Sequence, residues 1–338
     1  MSNKCVGCGA TLQNTNVNEV GYVEDLSNKY CIDCFKLKNY GVVINNYVPL
    51  KIDDIDKNSI CLMISSVLHL DLLFSHPVYR YQSEATFIYI INQMDLLPSS
   101  TNLDLLLENI EKKAKKEKIP YQDIIFMSAL NKQDNNNLRM YLKNYKNKKI
   151  FLLGVQNSGK TTIFKELTND LNALSIIKAG LTQERLEGNF LSNTVYDMPG
   201  LYQEGYLHTF LPYEMYKKLI PTKRIKPKIY QVKPNDAIII ENLIGISFIK
   251  TLEQTAVFYL NNNLRLHKTN NEKVSSYIAK KEKTFVDEYI TKTIKTYQNT
   301  RVQITFGDMG FMHLITQATI EIKYPKGMHI SITEALFK

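Results

Sequence analysis

Apolar residues in this chain gather in short blocks, each followed by a polar or glycine-rich stretch. Ile60 to Leu68, Ala85 to Ile91, Asp123 to Met127, Lys149 to Leu153 and Asn193 to Tyr196 read as strands, mostly buried. Asn102 to Lys118 and Thr162 to Thr168 read as helices between them. Strands alternating with helices predict an α/β fold with a largely parallel sheet. Beyond Pro221 the pattern changes. Strand-like runs follow at Lys228 to Val232, Ala237 to Glu241, Thr255 to Leu260, Arg301 to Phe306 and Gln317 to Tyr324, the last placing Ile320, Ile322 and Tyr324 on one face. Asn271 to Lys283 and Thr284 to Thr296 read as helical, so this third is expected to be mixed α/β or largely β.

The first 48 residues fit neither pattern. Ala10 to Tyr30 is too polar to form a core, and it lies between two cysteine pairs, Cys5-x2-Cys8 and Cys31-x2-Cys34, with 22 residues between them. No histidine precedes His69, so the candidate ligand set is all sulfur. Two such knuckles place four thiolates on a tetrahedral zinc, and metal binding supplies the folding energy the segment lacks. A redox CxxC fits less well, because it occurs singly at a helix start after a strand. Cys61, in an apolar run, reads as a core residue.

The strand at Lys149 runs into Gly154-Val155-Gln156-Asn157-Ser158-Gly159-Lys160-Thr161, which is GxxxxGK[ST] in its required strand–loop–helix setting. Glycines at 154 and 159 let backbone N–H groups from this loop through Thr162 turn toward phosphates. Lys160 reaches the outer phosphates and the Thr161 hydroxyl serves magnesium. Downstream, 36 residues past Thr161, a strand ends in Asp197-Met198-Pro199-Gly200. There Asp197 is expected to hold magnesium and Gly200 to contact the γ-phosphate. Thr182, in Gly180-Leu181-Thr182, is the candidate switch threonine closing on both, ahead of Thr168 and Thr194.

Base recognition is expected upstream. Asn92-Gln93-Met94-Asp95 ends one strand, and Ser128-Ala129 follows another. Asp95 can accept both guanine N–H donors, Asn92 can brace the base and the phosphate loop, and the Ala129 N–H can meet O6. The first run resembles the NKxD signature of GTPases, with Gln93 in place of the lysine. The order is inverted relative to ordinary GTPases, because the base motifs come first and the phosphate motifs second. A pocket depends on positions in space, so a circular permutation is physically sound. Gly200 then lies just ahead of the C-terminal third, to which switch movement could pass directly.

A permuted GTPase with a four-cysteine finger and a separate C-terminal domain resembles the YqeH family over essentially the whole chain. Cys31-Ile32-Asp33-Cys34-Phe35-Lys36-Leu37-Lys38-Asn39-Tyr40, Tyr196-Asp197-Met198-Pro199-Gly200, Ile225-Lys226-Pro227-Lys228 and Gly307-Asp308-Met309-Gly310-Phe311 carry the likeness. The related YlqF and YjeQ families share the permutation without this finger. The expected architecture is therefore a zinc finger at 1–48, a circularly permuted P-loop GTPase domain at 49–212, and a basic mixed α/β domain at 213–338. The resemblance implies GTP hydrolysis in assembly of the small ribosomal subunit. It also implies a hydrophobic residue, here Leu201, in place of a water-orienting glutamine, and potassium at Asn157 in place of an arginine finger.

Composition sharpens this picture in one respect. With 44% hydrophobic and 22% charged residues, wholesale disorder is excluded. The net charge is +9, yet residues 1–210 hold 22 basic and 22 acidic side chains, whereas 211–338 hold 20 and 11. The excess is local to the C-terminal third. It favours contact with RNA backbone there, with tyrosines available for stacking, over a uniformly basic surface. His208, His267, His313 and His329 are scattered and read as packing or surface residues. The start lacks the apolar core of a secretory signal, and no apolar run reaches membrane-spanning length. A cytoplasmic monomer is expected, with GTP or GDP, magnesium, zinc and potassium as ligands and the small subunit or its rRNA as partner. The competing reading is a nucleotide-gated RNA-binding adaptor with negligible turnover. Asp95→Asn is expected to lower GTP affinity and favour xanthosine nucleotides. Competition binding with GTP and XTP checks this, and an unchanged preference would remove Asp95 from base recognition.

Overall fold

The computed structural model describes residues 4–17, 19, 21–40, 55–169, 185–201, 203–278, 286, 288–297 and 301–337, with the side chains of 37–40 excepted. The chain divides into two compact units, Met1–Met94 with Ala114–Gln203, and Asp95–Lys113 with Glu204–Lys338.

The first unit is built on a six-stranded sheet. Its strands are β1 (Ile60–Ser66), β2 (Thr86–Asn92), β3 (Asp123–Phe126), β4 (Lys149–Leu153), β5 (Leu186–Phe190) and β6 (Asn193–Asp197), in the order β3-β2-β1-β4-β6-β5. All neighbours are parallel except the edge strand β5, which runs antiparallel to β6. Every residue of β1 is buried, as are four of the five in β4, which explains their unbroken apolar runs. Helix α3 (Lys132–Leu142) starts at Asn131, whose side chain accepts a hydrogen bond from the Gln133 N–H. α4 (Lys160–Thr168) follows the phosphate loop directly. Its Ile163, Phe164 and Leu167 join Ile60, Leu62, Ile88, Ile150 and Val195 in one core. Cys61 is fully buried, and burial pushes its thiol up to about 12, as suits a packing residue. The cysteine-rich segment in this unit carries the short α1 (Ile32–Tyr40) and packs Ala10, Leu12 and Val23 around its sulfurs.

The second unit holds most of α2 (Leu103–Glu117) and α5 (Tyr213–Leu219). Asn109 of α2 donates to the Leu336 carbonyl at 2.9 Å. Among the described residues the rest of this unit is dominated by ten strands. These are β7 (Lys228–Val232), β8 (Asp236–Ile240), β9 (Ile244–Thr251), β10 (Gln254–Leu260), β11 (Leu266–Asn270), β12 (Tyr289–Lys295), β13 (Val302–Phe306), β14 (Gly310–Leu314), β15 (Ala318–Pro325) and β16 (Ile330–Glu334). They form two antiparallel five-stranded sheets, β16-β13-β14-β10-β7 and β11-β8-β9-β15-β12. Of the two expected outcomes, strands dominate here. β15 alternates as anticipated, with Ile320, Ile322 and Tyr324 buried.

One expectation is corrected. Within Thr284 to Thr296, residues Tyr289–Lys295 are β12, an edge strand paired with β15, not a helix. The segment Ile290-Thr291-Lys292-Thr293-Ile294 is rich in β-branched residues, which lose side-chain freedom in a helix and fit a half-covered sheet. Of the other expected helix, 271–273 form a 3-10 turn and 274–278 are helical, while 279–283 lie outside the described residues.

His313 on β14 is buried among Tyr259, Phe311 and Phe337, with Gln303 Oε1 3.2 Å from its Nε2. Burial, then the nearby Arg301 charge, lowers its pKa to about 3. The unfolded chain takes up a proton near pH 6.5 that the folded chain refuses. Stability from this site is therefore intact above pH 6.5 and is lost as pH falls toward 3. Between pH 6.5 and 4.5 the loss should be about 2–3 kcal/mol. Urea unfolding at both values should show it in the native protein and largely abolish it in His313→Leu.

Candidate functional site

The carboxyl ends of β2, β3, β4 and β6 carry the sequence motifs, the position at which open α/β sheets bind ligands. Asn92, at the end of β2, is fully buried. Its Nδ2 donates to the Ser158 carbonyl of the phosphate loop at 2.8 Å, and its Oδ1 accepts the Ala129 N–H at 2.9 Å. One carboxamide thus joins three loops. Gly159 exists for this contact, since a Cβ there would lie 2.2 Å from Asn92 Nδ2 and its φ of +91° disfavours other residues. The Ala129 N–H, expected to meet guanine O6, donates here to the buried Asn92 Oδ1. Behind it Asn135 Nδ2 donates to the Ala129 carbonyl at 2.9 Å, and Asp134 accepts the Ser128 N–H at 2.8 Å.

Gln93 has a structural role that its departure from the usual lysine did not reveal. Its Nε2 donates to the Asn157 carbonyl at 3.1 Å, and its Oε1 accepts the hydroxyl of Ser66 at the end of β1. An ammonium could donate but could not accept the serine proton. Ser66, which carries no sequence signature, also caps the following turn by accepting the Leu68 N–H at 3.2 Å. Asp95 lies in the 3-10 turn Met94–Leu96 that follows. Within the second unit the Leu96 carbonyl accepts the Ile225 N–H at 2.8 Å.

Lys160 and Thr161 open α4. The Lys160 ammonium is buried and donates to the Gly154 and Val155 carbonyls, each at 3.0 Å. Burial lowers its pKa to about 8, partly opposed by the Asp197 charge. The Thr161 hydroxyl donates to Asp197 Oδ2 at 2.6 Å. A hydroxyl and a carboxylate in contact are the donor set a hard divalent cation takes alongside phosphate oxygens, so these residues fit magnesium. Met198 and Leu201 tie the 197–201 segment to the phosphate-loop strand through Leu152 and Gly154 carbonyls at 3.3 and 3.0 Å. Gly200 lies against Gln156, where a Cβ would come within 2.7 Å of its side chain. The Leu201 side chain is buried. Ser158 is fully buried, and its hydroxyl has no partner among the described residues. Asn157 adopts φ 59° at the loop's outer turn. Thr182 lies outside the described residues, whereas Thr168 bonds back to Phe164 in α4 and Thr194 lies within β6.

Cys5, Cys8, Cys31 and Cys34 are all buried, with sulfurs within 4.8 Å of one another. The Cys5 sulfur accepts the Cys31 N–H at 3.2 Å, and the Cys31 sulfur accepts that of Cys34 at 3.5 Å, as in a metal knuckle. Hydrogen bonding with Cys31 drives Cys5 down and Cys8 and Cys34 up from the ordinary thiol range. Four converging sulfurs without a competing nitrogen or oxygen ligand fit zinc, which would hold all four as thiolates.

A protein-family model described as "50S ribosome-binding GTPase" matches residues 149–297. The match begins at β4, so Asn92, Asp95 and Ala129 all precede it. The chain is 22% identical to "Uncharacterized protein YqeH" of Bacillus subtilis (strain 168), over 98% of both chains. These two likenesses support a YqeH-type circularly permuted GTPase. The structure of YjeQ from Thermotoga maritima aligns at 20% identity and a TM-score of 0.29, over 42% of this chain and 48% of that one, too partial a likeness to argue from. The chain has a P-loop α/β fold with a four-cysteine cluster compatible with zinc, and the matched family supports GTP binding.

Lys160 generates a pH prediction. Its folded pKa is depressed, so near pH 8.5 the nucleotide-free protein holds it partly neutral, and arriving polyphosphate favours the charged form. GTP binding should therefore take up a fraction of a proton at pH 8.5 and almost none at pH 7. Calorimetry in buffers of differing ionisation enthalpy measures this. Lys160→Arg, whose guanidinium keeps its proton, should abolish the uptake.

Proposed function

We propose that the chain hydrolyses GTP as a switch in assembly of the small ribosomal subunit. The observation that supports this most is the two-ended Asn92 contact. It brings base-side and phosphate-side loops together at the carboxyl ends of the strands, although the chain visits them in permuted order. Thr161 and Asp197 would hold magnesium, with Thr182 joining them and Gly200 reporting the γ-phosphate. Asp95 would select guanine. Asn157 would hold potassium, supplying positive charge in place of an arginine finger. With Leu201 unable to orient water, intrinsic turnover is expected to be slow. Zinc on Cys5, Cys8, Cys31 and Cys34 would keep the finger folded.

The three-domain division at 48 and 212 and a cytoplasmic monomer complete this reading. The basic excess over 211–338 supports an RNA contact there. Among the described residues no helix is long and apolar enough to cross a membrane. The adaptor reading differs only in turnover. The family description names the 50S subunit, which makes the large subunit the alternative partner.

One experiment addresses all three points. Single-turnover GTP hydrolysis is measured in sodium and in potassium buffer, alone and with purified small or large subunits. The expected result is slow basal cleavage, at least severalfold faster in potassium and faster again with small subunits. Equal rates in both salts would remove Asn157 as a potassium ligand. Stimulation by large subunits alone would reassign the partner, and no cleavage under any condition would favour the adaptor.

A further inference from the structure

Two neighbouring side chains at the end of β2 hold two successive carbonyls of the phosphate loop. Asn92 Nδ2 donates to the Ser158 carbonyl at 2.8 Å, and Gln93 Nε2 donates to the Asn157 carbonyl at 3.1 Å. In a trans peptide the N–H points away from the C=O of the same unit. Holding both carbonyls toward β2 therefore turns the next two N–H groups, those of Ser158 and Gly159, to the other side of the loop. Neither N–H has a protein acceptor among the described residues. The Gln93 contact also carries strain at both ends. Gln93 has φ 64° and Asn157 has φ 59°, and both are non-glycine residues in the left-handed region. Such conformations persist where surrounding contacts over-determine them, and they gather at ligand sites.

Ser66 is the contact that over-determines Gln93. It is 1% exposed. Its oxygen accepts the Leu68 N–H at 3.2 Å, and its own proton goes to Gln93 Oε1. This orients the amide, because turned end for end it would set an acceptor against the Asn157 carbonyl. Hydroxyl, amide and carbonyl thus form a chain in which each donor has an acceptor and no member is charged. A lysine at 93 would break that chain. An ammonium has three donors and no acceptor, so the buried Ser66 proton would lose its partner. It would also bring a charge that a neutral serine does not balance.

We propose that Ser66 and Gln93 are paired positioning residues for nucleotide binding, with Ser66 acting through Gln93 on the plane of the Asn157–Ser158 peptide. Without the pair that peptide is free to rotate, and the N–H groups the loop offers to phosphates lose their register. The pair is neutral and stands where the usual signature has a lysine. Lysine at 93 is therefore worse than the resident glutamine unless residue 66 becomes its anion. This deepens the reading of the site as a GTP site, and it rests on that reading.

The test uses the full chain and GTP carrying a fluorescent group on its ribose. Affinity and dissociation rate are read by fluorescence, and melting temperature is read without nucleotide. Gln93→Met keeps the volume and leaves the Ser66 cap on Leu68 in place. It should weaken binding about three- to tenfold, the worth of one hydrogen bond. Ser66→Ala should weaken it by a similar factor, and Ser66→Thr, which keeps the hydroxyl, should bind as the native chain does. Ser66→Ala combined with Gln93→Met should be no weaker than Gln93→Met alone, because one residue acts through the other. Gln93→Lys alone should weaken binding, and adding Ser66→Asp should restore it to within about twofold of native. If Gln93→Met and Ser66→Ala lower the melting temperature yet bind GTP like the native chain, the pair is a packing contact and the proposal is overturned. If their losses add in the double variant, Ser66 does not act through Gln93. If Gln93→Lys binds as tightly as the native chain, the neutral pair is not needed, and the proposal again fails. If the native chain binds neither the labelled nucleotide nor, by calorimetry, GTP itself, the reading of the site falls and the pair with it.

Discussion

A single buried carboxamide holds the nucleotide site together. Asn92 is fully buried, so each end of its side chain must find a partner or leave a desolvated dipole costing about 1–3 kcal/mol. The partners it finds are a phosphate-loop carbonyl and the N–H that follows β3. Three loops from three strands are thereby held in register by two hydrogen bonds. Such bonds depend on where groups lie and are indifferent to the order in which the chain supplies them. That indifference makes the permuted arrangement workable. Gly159 and the Gln93–Ser66 pair are consequences of the same arrangement, one making room for the amide and the other bracing the next carbonyl along the loop.

The phosphate loop built on this brace is electrostatically incomplete. Lys160 is buried and turned onto loop carbonyls, which solvate an ammonium less well than water does. Asp197 compensates in part and is itself engaged by Thr161. The missing term is concentrated negative charge, which a polyphosphate supplies. The cysteine cluster poses a similar problem. Four thiols crowd into one buried space and perturb one another, and a divalent cation is the group that would satisfy all four together. In both places the fold sets out groups whose energetic complement is a ligand.

Legibility in the sequence followed the strength of local signals. β4, β6 and β7 were readable nearly to the residue because continuous apolar or alternating runs ended in glycine or proline. The P-loop, Asp197-Met198-Pro199-Gly200 and the cysteine pairs were readable because their chemistry demands fixed spacing. β12 was misread as helix because its lysines mimic an exposed helical face, and only pairing with β15 covers its backbone groups. β5, β11 and β16, with many exposed positions, announce themselves weakly. Ser66 and the acceptor role of Gln93 were invisible, because each depends on a partner 27 residues away.

The amino-acid sequence by itself determined the inventory. It specified two cysteine pairs, a phosphate loop with its lysine and threonine, an Asn92-Gln93-Met94-Asp95 run placed ahead of that loop, and a charge excess confined to the last third. These follow from residue type and spacing, which are local. Tertiary structure decided which of those groups meet. It joined the Ala129 N–H to Asn92 and turned a nonstandard glutamine into a brace on the phosphate loop. Hydrogen bonds and charge clusters act over a few ångströms, and only the folded chain brings residues tens of positions apart within that reach.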